Sequence, residues 1–219
     1  MFSSDKWFGA SAGFYPETIN QSLRFEDGDS AYLYRTFSGA GNTKTWTWSG
    51  WIKRGNFDTY QNLFGTIDLT VTNRQNYLML QNDGTIAFYN YTTSGYNYQL
   101  TTNVVLRDPT SWYHLVFVQD TTQSTSSDRL KMYVNGTQIT SFSTANYPSL
   151  NFDGWINQNV GSGVRLGIGR VYPYNTSQYF DGYMAEVNFV DGLQLAPSSF
   201  GKTDVETNQW IPQKYVGAY

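Results

Sequence analysis

Apolar and polar positions alternate with a period of two along most of the chain, and the runs are short. Residues 22–25 (SLRF), 31–36 (AYLYRT), 45–53 (TWTWSGWIK), 62–66, 77–81, 85–91, 96–101, 112–119 (WYHLVFVQ), 130–134 (LKMYV), 137–142, 164–169 and 183–190 each read as a strand. Turn residues punctuate them. Glu26-Asp27-Gly28-Asp29 separates the first two, Asn82-Asp83-Gly84 predicts a tight hairpin, and Asn135-Gly136 predicts another. A helical period is missing; the nearest approach is Ala196–Phe200, where Pro197 can open a single turn. About a dozen short strands without helices predict an all-β fold, a two-sheet antiparallel sandwich or jelly roll.

Parity assigns faces. In the stretch TWTWSGWIKR, Trp46, Trp48, Gly50 and Ile52 point one way and read as core. Trp51 falls on the opposite side among Thr45, Thr47, Ser49 and Lys53. It either fills that side beneath an extra layer or sits in a shallow concavity as a platform for a ligand. In 112–119 both faces are apolar, which predicts a central strand covered on both sides, with His114 as a structural histidine.

Tyrosines gather in two places. Tyr89 and Tyr91 share a face of one predicted strand, and Tyr96 and Tyr98 share a face of the next, across the Thr-Thr-Ser-Gly turn. Tyr172 and Tyr174 stand in a loop-like sequence, VYPYN, and Trp155 in another, DGW. Together with Trp51 these are the candidate glycan or protein contacts, because an aromatic body with a polar tip suits both. Local packing is the plainer account of them.

The ends differ from the middle. Residues 1–21 are too glycine-broken for a core strand and too aromatic for a solvated tail, with Trp7, Phe8, Phe14 and Tyr15. They read as an arm across the domain or across a neighbouring chain, with a loose terminus as the alternative. Residues 202–219 form an extension that is still aromatic at Tyr215 and Tyr219; it docks on a partner or begins something longer. The domain proper spans 22–201, and no linker composition divides it.

Composition narrows the chemistry. Fourteen Lys and Arg against 17 Asp and Glu give a net charge of −3 without a basic tract, which argues against nucleic acid. No apolar stretch approaches 18 residues, so membrane insertion is not expected. Cysteine is absent, which removes disulfides, thiolate nucleophiles and Cys-ligated metals. A single histidine offers no polyhistidine metal cluster and no persuasive Ser-His-Asp set. Glycan cleavage on a sandwich needs two facing carboxylates roughly 5–10 Å apart, and no strand carries acids at alternate positions. Glu186 stands alone on its strand. The chain therefore reads as non-enzymatic and without a catalytic, cofactor or metal site. Calcium stays open only through the turn acids Asp27, Asp29, Asp153, Asp181 and Asp191, a residue type that turns favour for backbone reasons alone.

Several stretches in order carry a resemblance: SLRFEDGDSAYLYRTF at 22–37, TWTWSGWIKRG at 45–55, WYHLVFVQD at 112–120, RLKMYVNGTQIT at 129–140, VRLGIGR at 164–170 and YFDGYMAEVNFVDGLQLAPSSFG at 179–201. Over 22–201 the chain resembles the laminin-G-like, concanavalin A-like jelly roll, and most closely the versions in virion structural proteins of tailed, notably marine, bacteriophages. The resemblance implies two antiparallel sheets of about six or seven strands. It makes Trp51 the tryptophan of the family's early strand and Glu186 the acid of its closing strand. Ala185 stands where many members carry Asp, which weakens a polar or calcium role there. The fold hosts lectins, enzymes and structural modules alike. The phage-like wording implies a non-enzymatic virion structural protein: a capsid decoration, fibre or tail-associated component on the capsid or tail surface. Its partners would be other virion proteins and copies of itself, engaged through the aromatic arm and loops. The alternatives are a lectin-like module that recognises host-surface glycans and, more remotely, a polysaccharide depolymerase.

Overall fold

The structure is a computed structural model that describes residues 21–36, 39–68, 74–158, 165–171 and 178–219. Its strands stack in two antiparallel sheets. One sheet has six strands in the order β1 (Leu23–Phe25), β13 (Gly182–Asp191), β3 (Thr45–Arg54), β8 (Tyr113–Asp120), β9 (Leu130–Val134) and β10 (Thr137–Gln138). The other has seven, in the order β11 (Phe142–Asn146), β7 (Gly95–Val105), β6 (Thr85–Thr92), β5 (Arg74–Leu80), β4 (Gln61–Asp68), β12 (Arg165–Ile168) and β2 (Leu33–Arg35). A small hairpin, β14 (Gly201–Thr203) with β15 (Trp210–Pro212), follows. Among the described residues the only helical pieces are single 3₁₀ turns at Ser126–Asp128 and Pro197–Ser199. None of them is long and apolar enough to cross a membrane.

Alternation builds the core. Trp46, Trp48, Ile52, Leu115, Phe117 and Met132 face inward from the six-stranded sheet; Phe64, Leu78, Phe88, Tyr98 and Leu100 face them from the other. Trp46 meets Phe88 edge-on with centroids 5.8 Å apart, and Trp48 lies 5.8 Å from Phe64. Each such side chain contributes about 1.5–3 kcal/mol by leaving water. Gly50 keeps its place because a Cβ there would press into the Trp48 ring at 2.8 Å.

The outer face of the six-stranded sheet is also covered. Val116, Val118 and Val190 form a second buried cluster with Phe200, capped by Leu195, Tyr133 and Tyr215. The C-terminal residues thus return over their own sheet. That cover explains why β8 is apolar on both sides and lies between β3 and β9.

One predicted strand divides. Residues 137–142 split into β10, which continues the hairpin from β9, and β11, which pairs with β7 in the opposite sheet. Between them the chain changes layers, and Ile139 is buried at the crossing with its N–H donated to the Met132 carbonyl at 2.8 Å. The hairpin turns stand as expected: Asn135 and Gly136 take φ of 48° and 77°, and Gly84 takes φ of 83°.

Candidate functional site

Trp51 does not reach the surface. Register sets it opposite His114, and the two rings stack at 4.9 Å. Trp210 of β15 lies nearly parallel to the imidazole at 6.0 Å and donates its indole N–H to His114 Nδ1 at 2.9 Å. Nδ1 is therefore the acceptor, so Nε2 carries the proton and donates to Ser49 Oγ at 2.8 Å. Burial pushes the imidazole pKa down to about 3. With 6 % of its surface exposed, Trp51 is a packing residue under the C-terminal cover and not a contact surface. Trp155 is likewise buried, with the Arg74 guanidinium 5.8 Å from its ring centre.

The tyrosines divide differently from simple alternation. In β6–β7, Tyr91 pairs with Tyr96 and Asn90 with Tyr98, so Asn97 is the extra residue of a bulge. That one residue sends Tyr96 and Tyr98 to opposite faces. Tyr98 is in the core, where its hydroxyl meets Asn76 Oδ1 at 3.1 Å and Gln119 Oε1 at 3.0 Å, which removes it from any contact surface. Tyr96 turns outward and joins Tyr89, Tyr91 and Tyr77 on the outer face of the seven-stranded sheet.

These four rings form a continuous strip. Centroids lie 5.0 Å apart for Tyr91–Tyr96, 5.5 Å for Tyr89–Tyr96 and 5.4 Å for Tyr77–Tyr89. Tyr89 is buried as the base, its hydroxyl accepting from Gln81 Nε2 at 2.6 Å; Tyr77 and Tyr91 are half-buried, and Tyr96 is 53 % exposed. Burial raises the phenol pKa of both Tyr77 and Tyr89, so the rings stay neutral. Gln75 and Gln99 stand beside them, whereas Asn97 turns its amide to the Asn90 Oδ1 at 2.8 Å. Flat uncharged rings flanked by amides can stack on an apolar sugar face while the amides meet its hydroxyls. The sequence alone named Tyr89, Tyr91 and Tyr96 but missed Tyr77, which comes from a strand joined only by register. Tyr172 and Tyr174, and the arm residues Trp7, Phe8, Phe14 and Tyr15, lie outside the described residues.

The acids come together in one place that strand patterns could not reveal. Carboxylate oxygens of Glu26, Asp27 and Asp181 lie within 4.8 Å of one another, the only such group among the described residues. Burial first, and then the negative charges of Asp27 and Glu26, raise the Asp181 pKa. Gly55 donates its N–H to the Asp181 carbonyl at 2.9 Å, and a side chain at 55 would collide with the Asp181 carboxylate. An oxygen-rich cluster of this kind can hold a hard cation such as calcium. Other turn acids serve the backbone or neighbouring amides: Asp191 Oδ1 accepts from Asn42 N–H at 2.8 Å and Asn157 Nδ2 at 2.6 Å, and Asp153 Oδ1 accepts from Thr43 Oγ1 at 2.6 Å. Glu186 is exposed on a bulge of β13 with φ of 48°, apart from this cluster.

Residues 26–195 match the model of the concanavalin A-like lectin/glucanases superfamily in its laminin G form. Among solved structures, the chain is similar to the LG4-5 domains of the mouse laminin alpha1 chain, at 12 % identity and a TM-score of 0.52, covering 94 % of this chain and 47 % of that one. It is also similar to the CBM40 of the Ruminococcus gnavus IT-sialidase, at 14 % identity and a TM-score of 0.50, covering 76 % and 95 % respectively. A third is domain 4 of AbnA, a GH43 extracellular arabinanase from Geobacillus stearothermophilus, in complex with arabinotriose: 21 % identity, TM-score 0.47, 74 % of this chain and 66 % of that one. These likenesses concern the fold. No curated protein matches the chain in sequence.

Proposed function

The chain belongs to the concanavalin A-like lectin/glucanase superfamily, and from that premise we propose that it is a non-enzymatic glycan-binding module that reads its ligand with the tyrosine strip of the seven-stranded sheet. The observation that carries this reading is the placement of Tyr96. It is 53 % exposed at the head of packed phenol rings, while Trp46, Trp48, Trp51 and Trp155 are buried. Tyr96 and Tyr91 would stack on the sugar, Tyr77 and Tyr89 would hold them rigid, and Gln75 and Gln99 would meet hydroxyls. The fold's lectin members make sugar a natural occupant, although fold alone does not choose it. The reading is non-enzymatic because the tyrosine strip holds no carboxylate, and the acidic trio belongs to the edge of the other sheet.

The test is a glycan array followed by titration calorimetry on the hits. The array should hold acidic as well as neutral sugars. Tyr96→Ala should weaken a genuine hit about tenfold, equivalent to about 1.4 kcal/mol, with thermal stability unchanged. An array without hits, or a hit indifferent to Tyr96, would reject the proposal. Reducing ends released from the bound polysaccharide would reject its non-enzymatic part.

The sequence resemblance to tailed-phage virion proteins favours a place for this module on a particle surface, among other virion proteins and copies of itself, where glycan contact would serve host attachment. Mass spectrometry of purified particles tests that placement; absence of the chain from them would remove it.

A further inference from the structure

The C-terminal hairpin covers Trp51 and His114 on the outer face of the six-stranded sheet, and beyond that cover two large rings stay in water. Met184, Ile52 and Tyr113 turn toward the core, so alternation sends Tyr183, Lys53 and Trp112 outward. Register pairs Tyr183 with Lys53 and Tyr113 with Ile52, which puts Trp112 on the other flank of Lys53. The Trp112 and Tyr183 rings meet across Lys53, with centroids 6.5 Å apart and planes tilted by 57°. Trp112 is 37 % exposed, the most of any described tryptophan, and Tyr183 is 38 % exposed; neither belongs to a core cluster.

The charges around these rings are mixed. Lys53 belongs to neither of the ion pairs Arg24–Glu26 and Lys131–Asp128. Asp181 stands two residues before Tyr183, with its carboxylate against Gly55, two residues beyond Lys53, and with Glu26 and Asp27 beside it. The acids repel an anion, and Lys53 with Arg24 repels a cation. An uncharged molecule with an apolar ring face and hydroxyls that both donate and accept satisfies the whole patch. Size agrees: the exposed parts of two aromatic side chains amount to roughly 100–200 Å², far below the ~800 Å² per partner of a standard protein interface. We propose that Trp112 and Tyr183 form a second sugar site, for an uncharged pyranose, on the face of the sandwich turned away from the tyrosine strip. The two rings take the apolar face of the sugar, Lys53 donates to one hydroxyl and an acid of the trio accepts from another. This site rests on the reading of the chain as a glycan-binding module and shares no residue with the strip.

The test uses neutral hexasaccharides of glucose, mannose and xylose, with a galacturonic acid hexamer as the charged counterpart. The readout is acrylamide quenching of tryptophan fluorescence, which does not report on the strip because the strip holds no tryptophan. A neutral hexamer should lower the quenching constant of the natural chain and leave that of Trp112→Phe unchanged. Tyr183→Ala should weaken the affinity read from this protection about tenfold, Lys53→Met should weaken it severalfold, and Tyr96→Ala should leave it as it is. Thermal unfolding checks that each variant keeps the fold. Binding that survives Tyr96→Ala with this protection intact would reject the strip and support the second site. Absence of protection by every neutral hexamer, or equal protection in Trp112→Phe, would overturn the proposal. Stronger protection by the galacturonic acid hexamer would overturn the uncharged class. Shielding of Trp112 that grows with protein concentration and ignores sugar would overturn it in favour of a second copy.

Discussion

His114 is the residue at which packing and protonation are most tightly joined. Its Nδ1 accepts from Trp210 and its Nε2 donates to Ser49, an arrangement that only the neutral ring satisfies. Burial holds the folded pKa near 3, against about 6.5 in an unfolded chain. Because the folded value is depressed, the unfolded state binds the proton first, and stability falls as pH drops from about 6.5 toward 3. The slope rises to about 1.4 kcal/mol per pH unit below pH 6.5, so about 1.6 kcal/mol should vanish between pH 6.5 and 5, above the range in which most carboxylates titrate. Urea unfolding across that interval should show the loss in the natural chain and not in His114→Phe, whatever the variant's absolute stability. Parallel pH profiles would refute the neutral clamp.

At the scale of elements, the C-terminal hairpin is the piece whose role the sequence hid. Trp210 lies against Gly136 and Gly201, where a Cβ at either position would come within about 2.7 Å of its ring. Phe200 and Tyr215 pack at a tilt with centroids 5.1 Å apart, and the Tyr219 hydroxyl donates to Asn188 Oδ1 at 2.8 Å. Trp210→Ala should cost about 2–3 kcal/mol, less than the 3–5 typical of a fully buried aromatic, because Trp210 is only half-buried. Trp210→Phe should cost nearer 1 kcal/mol, the share of the lost indole hydrogen bond. Thermal unfolding of both separates packing from bonding, and equal losses would count against this division. Strands β3, β8 and β9 were legible because alternation over five or more residues fixes both span and face; β13 was legible in span alone, since its bulge at Glu186 reverses parity between Met184 and Val187. The tyrosine strip was legible only in part. A bulge costs one unremarked asparagine, Asn97, yet it reverses parity, and Tyr77 joins the strip through a pairing that no local pattern encodes. The layer change at Ile139 escaped notice for the same reason: TQITSF reads as one strand until two sheets compete for it.

For the whole molecule, the fold closes by bringing residues near its start against residues near its end, and charge gathers at that seam. β1 pairs with β13, which places Glu26 and Asp27 beside Asp181, more than 150 positions away in sequence. The Asp181 pKa is raised, by burial first and by its acidic neighbours second, with Arg24 opposing. A raised carboxyl holds its proton longer in the folded state. It therefore favours folding at low pH, and that contribution is lost as pH rises through the folded value, leaving three like charges in contact at neutrality. Asp181→Asn should consequently stabilise the chain at pH 7. The gain should be a few tenths of a kcal/mol, since partly exposed charges are screened by water, and it should shrink further in 1 M salt. At pH 3, where the natural carboxyl is already protonated, the variant and the natural chain should unfold together. Chelator is needed in every buffer, because a bound divalent cation would invert the neutral-pH result by turning the repulsive trio into a ligand set. A variant less stable than the natural chain under chelator would show that Asp181 contributes a favourable contact at this seam that outweighs the repulsion.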